Sequence, residues 1–257
     1  MKTRRITYLI GVILHLILFG NAICYQPIKV VDWPTAGLLP RATYRIGVNV
    51  YSEGGVILSL GTGLTDYFNF GISYGGINVI GTGDPDMNPR PEVSVKLRVL
   101  EESIVLPAVA IGFDSQGYGV YIEEASRYTI KSKGLYAVAS KNWDFGGPLS
   151  LHGGISYSFE ARDDDNDPTI FFGVTKSFGG GLGLALEYDF VFNDNECKSG
   201  DFLIENRGLL NASVVWNINE NFSLSVDVRD IISKDSGEAK DLRRWNRGIS
   251  IRYCDFF

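Results

Sequence analysis

The sequence predicts an all-β chain: a single antiparallel up-and-down transmembrane β-barrel of about twelve strands, following a signal peptide. Three observations predict it. First, from Thr43 to Phe257 about twelve segments of about ten residues alternate apolar and polar side chains, the period of a strand whose two faces meet different surroundings. Second, after the first hairpin, short turns and long polar loops alternate, as they do between the two ends of an outer-membrane barrel. Third, aromatic residues gather where strands meet connections, in two bands suited to two membrane interfaces.

The chain opens on Lys2, Arg4 and Arg5, followed by an apolar run from Tyr8 to Phe19 and small residues at Gly20 and Ala22. This layout predicts a secretory signal peptide over residues 1–22. The run is shorter than the roughly eighteen apolar residues that a spanning helix needs. Residues 23–41, broken by Pro27, Pro34 and Pro40, read as an irregular periplasmic lead-in. Residues 42–257 are then the barrel.

Within the barrel, Thr43–Tyr51 sets Ile46, Val48 and Val50 against Arg45, Gly47 and Asn49. A turn at Ser52–Gly54 leads to Gly55–Gly63, and Leu64–Asp66 turns into Tyr67–Gly75. A long connection from Asn78 to Arg90 precedes Pro91–Glu101, where Val93, Val95, Leu97 and Val99 oppose Ser94, Lys96 and Arg98. Glu102 and Ser103 turn the chain into Val105–Asp114, and Ser115–Ser132 is the next long connection. Gly134–Trp143 and Leu149–Glu160 flank the turn Asp144–Gly147; the second carries Ser150, His152, Ser156 and Glu160 on one face. The acidic loop Arg162–Pro168 leads to Thr169–Phe178, and three glycines turn it into Leu182–Phe192, with Glu187 and Asp189 on its polar side. Leu209–Ile218, Phe222–Ile231 (with Asp227 and Arg229) and Asn246–Phe257 complete the set, separated by Asn193–Asn206, Asn219–Asn221 and Ser233–Trp245.

The closing stretch alternates Ile249, Ile251 and Tyr253 with Ser250, Arg252 and Cys254 and ends on Phe257. It resembles the insertion signal of bacterial outer-membrane barrels, which implies Tyr253 and Phe257 as recognition residues for the barrel-assembly machinery; Asp255 departs from the pattern. Bacterial outer membrane is the expected location, and its lipid the expected surrounding. A soluble, secreted β-sandwich binding module accounts for the alternation but not for the loop asymmetry, the aromatic bands or Phe257.

Composition narrows the function. A net charge of −6 argues against nucleic acid as a partner, because phosphate binding needs a basic stripe. Three cysteines and two histidines suit neither a disulfide framework nor a histidine-based metal cage, and no cofactor or metal is expected. The acidic runs 163–167 and 194–196 offer oxygen ligands but no ordered calcium loop. His152 raises the alternative of an outer-membrane hydrolase, yet it shares the polar lumen side with no orienting carboxylate at a fitting spacing. No catalytic residue is assigned, and the chain is read as non-enzymatic.

The polar face predicts a lumen list: Arg45, Lys96, Arg98, His152, Glu187, Asp189, Asp227, Arg229 and Arg252. It carries both signs and no single-sign ring. Twelve strands fall between barrels filled by side chains and open porins, so a narrow polar pore and a charge-bridged plug both remain open.

The segments Pro34–Pro40, Thr43–Gly47, Asp66–Gly71 and Gly112–Gly117 resemble the YjbH-type outer-membrane proteins, which are associated with bacterial exopolysaccharide production. The resemblance covers the first third to half of the chain and has no catalytic motif. It implies an outer-membrane barrel and a role accessory to polysaccharide export, with polysaccharide as a partner.

Overall fold

The computed structural model describes residues 27–160, 165–194, 208–232 and 247–257. Twelve strands form one closed antiparallel barrel: β1 Thr43–Tyr51, β2 Gly55–Gly63, β3 Phe68–Ile77, β4 Glu92–Leu100, β5 Ala108–Asp114, β6 Gly134–Asp144, β7 Pro148–Tyr157, β8 Thr169–Ser177, β9 Leu182–Asp189, β10 Leu209–Asn217, β11 Phe222–Val228 and β12 Arg247–Phe256. Each strand pairs with its neighbours in sequence, and β12 closes on β1 in a register running from Thr43 opposite Phe256 to Val50 opposite Ile249. Closure leaves no sheet edge, the condition for crossing hydrocarbon with strands.

The barrel is inside-out relative to a soluble β protein. Ile46, Leu58, Leu60, Phe70, Ile72, Leu151, Leu186 and Ile251 are all exposed on the outer face, while Lys96, His152, Glu187, Asp227 and Arg229 are buried on the inner one. An apolar band that runs around a barrel far exceeds the patches of a few hundred Å² that soluble monomers expose. The sandwich alternative is therefore discarded: there is one closed sheet, and its apolar face points outward.

Two connections differ from expectation. β5 begins at Ala108 rather than Val105, because Pro107 has no N–H for the ladder and residues Ser103–Leu106 form a tight turn, with Ser103 N–H donating to Leu106 O at 3.0 Å and Leu106 N–H to Ser103 Oγ at 3.0 Å. The loop after β5 is no solvated connection either. It makes a short hairpin, Tyr118–Ile122 with Arg127–Ile130, whose Arg127 and Tyr128 are fully buried. Arg127 pairs with Asp194 through both guanidinium nitrogens, at 2.8 and 3.0 Å, and the Tyr128 hydroxyl donates to Glu92 Oε1 at 2.8 Å. The loop thus folds across the long-loop end of the barrel.

The largest correction concerns residues 27–41. They do not trail away as a periplasmic lead-in. Val30, Val31, Trp33, Ala36, Leu38 and Leu39 are buried, and the segment doubles back on itself inside the lumen through a bridge between Lys29 and Pro34. Six apolar side chains in a proline-punctuated stretch have no reason to stay in water when the barrel interior can cover them. The expected signal peptide and residues 23–26 lie outside the described residues.

Candidate functional site: the occupied lumen

Small residues on the wall make room for the hairpin. A Cβ on Gly173 of β8 would lie 2.7 Å from Val30, and one on Gly63 of β2 would lie 2.0 Å from Pro40 O, so both approaches require glycine.

Charged wall residues then satisfy the hairpin's backbone. At its tip, the Glu187 carboxylate accepts from Val31 N–H at 3.0 Å, Asp32 N–H at 3.0 Å and Trp33 N–H at 2.8 Å, and is itself held by Asn211 Nδ2 at 2.8 Å. Arg229 makes a two-pronged pair with Asp32, Nε to Oδ2 at 2.7 Å and Nη2 to Oδ1 at 2.8 Å, the geometry in which guanidinium and carboxylate bind best. Trp33 stacks on Phe171 with centroids 4.2 Å apart, and Lys133 Nζ lies 3.9 Å from the centroid of the indole ring. Lower down, Lys96 Nζ donates to the carbonyls of Ile28, Thr35 and Gly37 at 2.9, 3.0 and 3.1 Å. Arg98 reaches Ala36 O from Nε at 3.2 Å and Nη2 at 2.7 Å. Asn69, with its amide turned to satisfy both groups, pairs with Leu39 N–H and C=O. Wall and hairpin are fitted polar group to polar group, as a buried backbone without sheet partners demands.

Asp32 is fully enclosed. Burial alone would raise its carboxyl, but the Arg229 guanidinium wins and holds it below the usual carboxylate range.

The sequence-derived lumen residues divide by use. Lys96, Arg98, Glu187 and Arg229 bind the hairpin as described. Asp227 accepts from Ser213 Oγ at 2.5 Å and Ser250 Oγ at 3.0 Å, and Asp189 from Thr169 Oγ1 at 3.0 Å and Val191 N–H at 2.9 Å. His152 is buried between Ser140 Oγ, 2.8 Å from Nδ1, and Thr175 Oγ1, 3.2 Å from Nε2. Arg45 and Arg252 line the space left open, Arg252 touching Ser225 Oγ at 3.1 Å. Tyr253 and Phe257 sit outside, at the seam. Of the acidic runs, Asp194 is bound to Arg127, while residues 163, 164, 195 and 196 lie outside the described residues.

Sequence reasoning missed the hairpin itself, with Asp32, Trp33, Ser140 and Asn211. Two signals pointed to it: a linker too apolar for solvent, and wall charges at Lys96, Arg98, Glu187 and Arg229 with no obvious partners on neighbouring strands.

Beside the hairpin a cavity of about 1020 Å³ remains, reaching from Gln116 and Tyr118 down to the short turns at Glu102, Lys176 and Asn219. At the other end the inward loop closes over it: Tyr118 packs edge-on against Tyr51 at 5.8 Å with Arg229 5.3 Å over its ring.

No protein-family model and no curated protein matches the sequence. Solved structures do. The chain is similar to the COG4313 outer membrane channel from Pseudomonas putida F1, with a TM-score of 0.50 and 12% identity over 90% of this chain and 99% of that one. It is also similar to the KdgM porin, TM-score 0.49 and 9% identity over 84% and 99% of the two chains, and to the NanC porin, TM-score 0.47 and 9% identity over 83% and 99%. The fold is that of outer-membrane channels, and the closed barrel with its apolar exterior belongs in the bacterial outer membrane.

Proposed function

We propose that this chain is a non-enzymatic outer-membrane channel whose lumen is held narrow by its own hairpin, residues 27–39, and that opening requires the hairpin to move. One observation carries this: the hairpin contributes no strand to the barrel, yet it is bound to the wall by buried charges on β4 and β9 and by Arg229 just past the end of β11. A segment needed only to fill space would not need a guanidinium–carboxylate pair to hold its tip. A role accessory to polysaccharide export, with polysaccharide as the partner, is supported by the YjbH-type resemblance. Its segments 34–40 and 112–117 fall on the hairpin and on the wall beside it, where Asp114 meets Lys29 at 3.1 Å.

The hydrolase alternative has one point in its favour, the Ser140–His152 contact, which has the spacing of a nucleophile and its base. Against it, Ser140 Oγ also accepts the Ala36 N–H at 2.8 Å, so the hydroxyl lies beneath the hairpin. The other ring nitrogen meets a threonine rather than a carboxylate. Ser140 Oγ is a contact of the hairpin, while His152 hydrogen-bonds only the wall hydroxyls of Ser140 and Thr175.

Planar-bilayer recordings test the proposal. The intact protein is expected to show a small conductance or none. Glu187→Ala strips three amides of a charged acceptor worth about 1.5–3 kcal/mol per bond; a net loss near 3 kcal/mol raises the open-to-closed ratio by roughly a hundredfold. His152→Ala is expected to record like the intact protein. A steady large conductance from the intact barrel would reject the closed resting state. A lipase or esterase activity abolished by His152→Ala would reject the non-enzymatic reading.

A further inference from the structure

The cavity beside the hairpin has an electrostatic character that the hairpin does not use. On its wall, Arg45 of β1 stands opposite Cys254 of β12, two residues from Arg252, which makes the two arginines diagonal neighbours about 7–8 Å apart at the backbone. Both point inward. Among the described residues Arg45 makes no hydrogen bond or ion pair, and Arg252 has only the Ser225 hydroxyl. Carboxylates elsewhere on the lining are engaged: Asp114 with Lys29 at 3.1 Å, and Glu102 with Lys141 at 3.3 Å and with Asn142. Glu220 lies in an exposed turn at the rim. Asp227 acts on Arg252 from a distance but is held by Ser213, Ser250 and Arg229, so neither arginine has a carboxylate in contact, and their mutual repulsion is a cost that a bound oxyanion removes.

A second observation points the same way. The buried Oδ1 of Asn49, on the same wall and the same strand as Arg45, has no hydrogen-bond partner among the described residues. Ser59 and Ser250 line the space nearby. An unsatisfied acceptor with hydroxyls around it suits a ligand that brings its own hydroxyl donors.

We infer that this cavity is a binding site for a hydroxyl-bearing organic anion, whose carboxylate or phosphate group is taken by Arg45 and Arg252 and whose hydroxyl donates to Asn49. The anion enters from the short-turn end, where the lining reaches the turns. The volume suits a molecule of one or a few sugar-sized units, at the upper end of the usual range of small-ligand sites. The site needs no open channel, so its test and the gating test fail independently.

Cys254 lines the same cavity and reports on it. In a Cys24→Ser, Cys197→Ser protein, purified folded and checked by heat-modifiable migration, Cys254 should react with a sulfonate-bearing methanethiosulfonate at least about ten times faster than with a trimethylammonium one, the enrichment a charged cleft gives. Glucuronate and glucose 6-phosphate, each at millimolar concentration, should slow the reaction, while glucose and inorganic phosphate should slow it little. In Arg45→Gln/Arg252→Gln the anionic preference should vanish. Should that variant not fold, protection by glucuronate over glucose in the arginine-containing protein decides the matter alone. Equal rates for the two reagents, faster cationic labelling, no labelling by either, or equal protection by glucose would each overturn the site. Protection by inorganic phosphate as strong as by the sugar anions would reduce it to a general anion trap and reject the hydroxyl contact.

Discussion

Deleting residues 28–38 should turn a silent barrel into a steadily conducting one. The hairpin takes no part in the hydrogen-bond ladder: its one bridge is internal, between Lys29 and Pro34, and all twelve strand pairs close without it. The barrel should therefore survive the deletion. Lys96, Arg98, Glu187 and Arg229, freed of partners, would meet water filling the lumen, so no charge is left dry. Bilayer recordings should show long-lived open steps, and heat-modifiable migration should persist. Blocked recordings from a folded deletion protein would mean that the inward loop, not the hairpin, closes the path.

A graded version uses the tip. Arg229→Met leaves Asp32 buried without its counter-charge, a change that costs about 3–5 kcal/mol, and should open the channel more than Asp32→Asn, after which Arg229 still has Asp227 at 3.6 Å. Acid should act last. With its carboxyl held below the usual range by Arg229, Asp32 contributes its full share at neutral pH and throughout the region above the unperturbed value of about 3.9. That share is lost as pH falls through the depressed value. The difference in conductance between Asp32→Asn and the intact protein should hold from neutral pH down to about pH 4 and shrink only below it. Opening on mild acidification, near pH 6, would show that a different group controls the hairpin.

The barrel was legible in the sequence because membrane strands repeat one constraint. Every second residue of β1, β4 or β12 must suit lipid, and a period of two survives reading without any partner in view. β5 was misread at its start because an apolar turn, Ile104 and Val105, extends the pattern past the ladder. The hairpin was not legible as a lumen element because nothing periodic marks it. Its place is set by pairings 155 and 197 residues away in sequence, Asp32 with Glu187 and Arg229, and such partners emerge only once the sheet closes. The wall charges themselves were readable one by one. What they bind was not, because a lysine on an inner face looks the same whether it meets water or, like Lys96, three carbonyls.

The same closure makes the seam between β1 and β12 the place where assembly is most exposed, and removing Phe257 should block it. Phe257 N–H donates to Ala42 O at 3.1 Å, extending the β1–β12 ladder by one bond beyond Thr43. Its ring lies 6.5 Å from that of Tyr44, which in turn lies 6.2 Å from Tyr253. These three rings stand at the short-turn interface on the outer face, where aromatic side chains anchor a barrel in the headgroup region. Without Phe257 the seam loses its last bond and its aromatic clasp together. A barrel that fails to close exposes two strand edges in a setting where unpaired backbone costs several kcal/mol per group. The chain should then accumulate in the periplasm, degraded or aggregated, with its heat-modifiable band lost from outer-membrane fractions; Phe257→Ala, which keeps the backbone bond, should be milder. Asp255 separates the seam from mere hydrophobicity. Its carboxylate accepts from the Tyr253 hydroxyl at 2.7 Å and from Phe256 N–H at 2.8 Å on the exposed rim, contacts that water replaces, so Asp255→Leu should insert normally. Normal insertion of the protein lacking Phe257 would show that the seam closes without it and that assembly reads another part of β12.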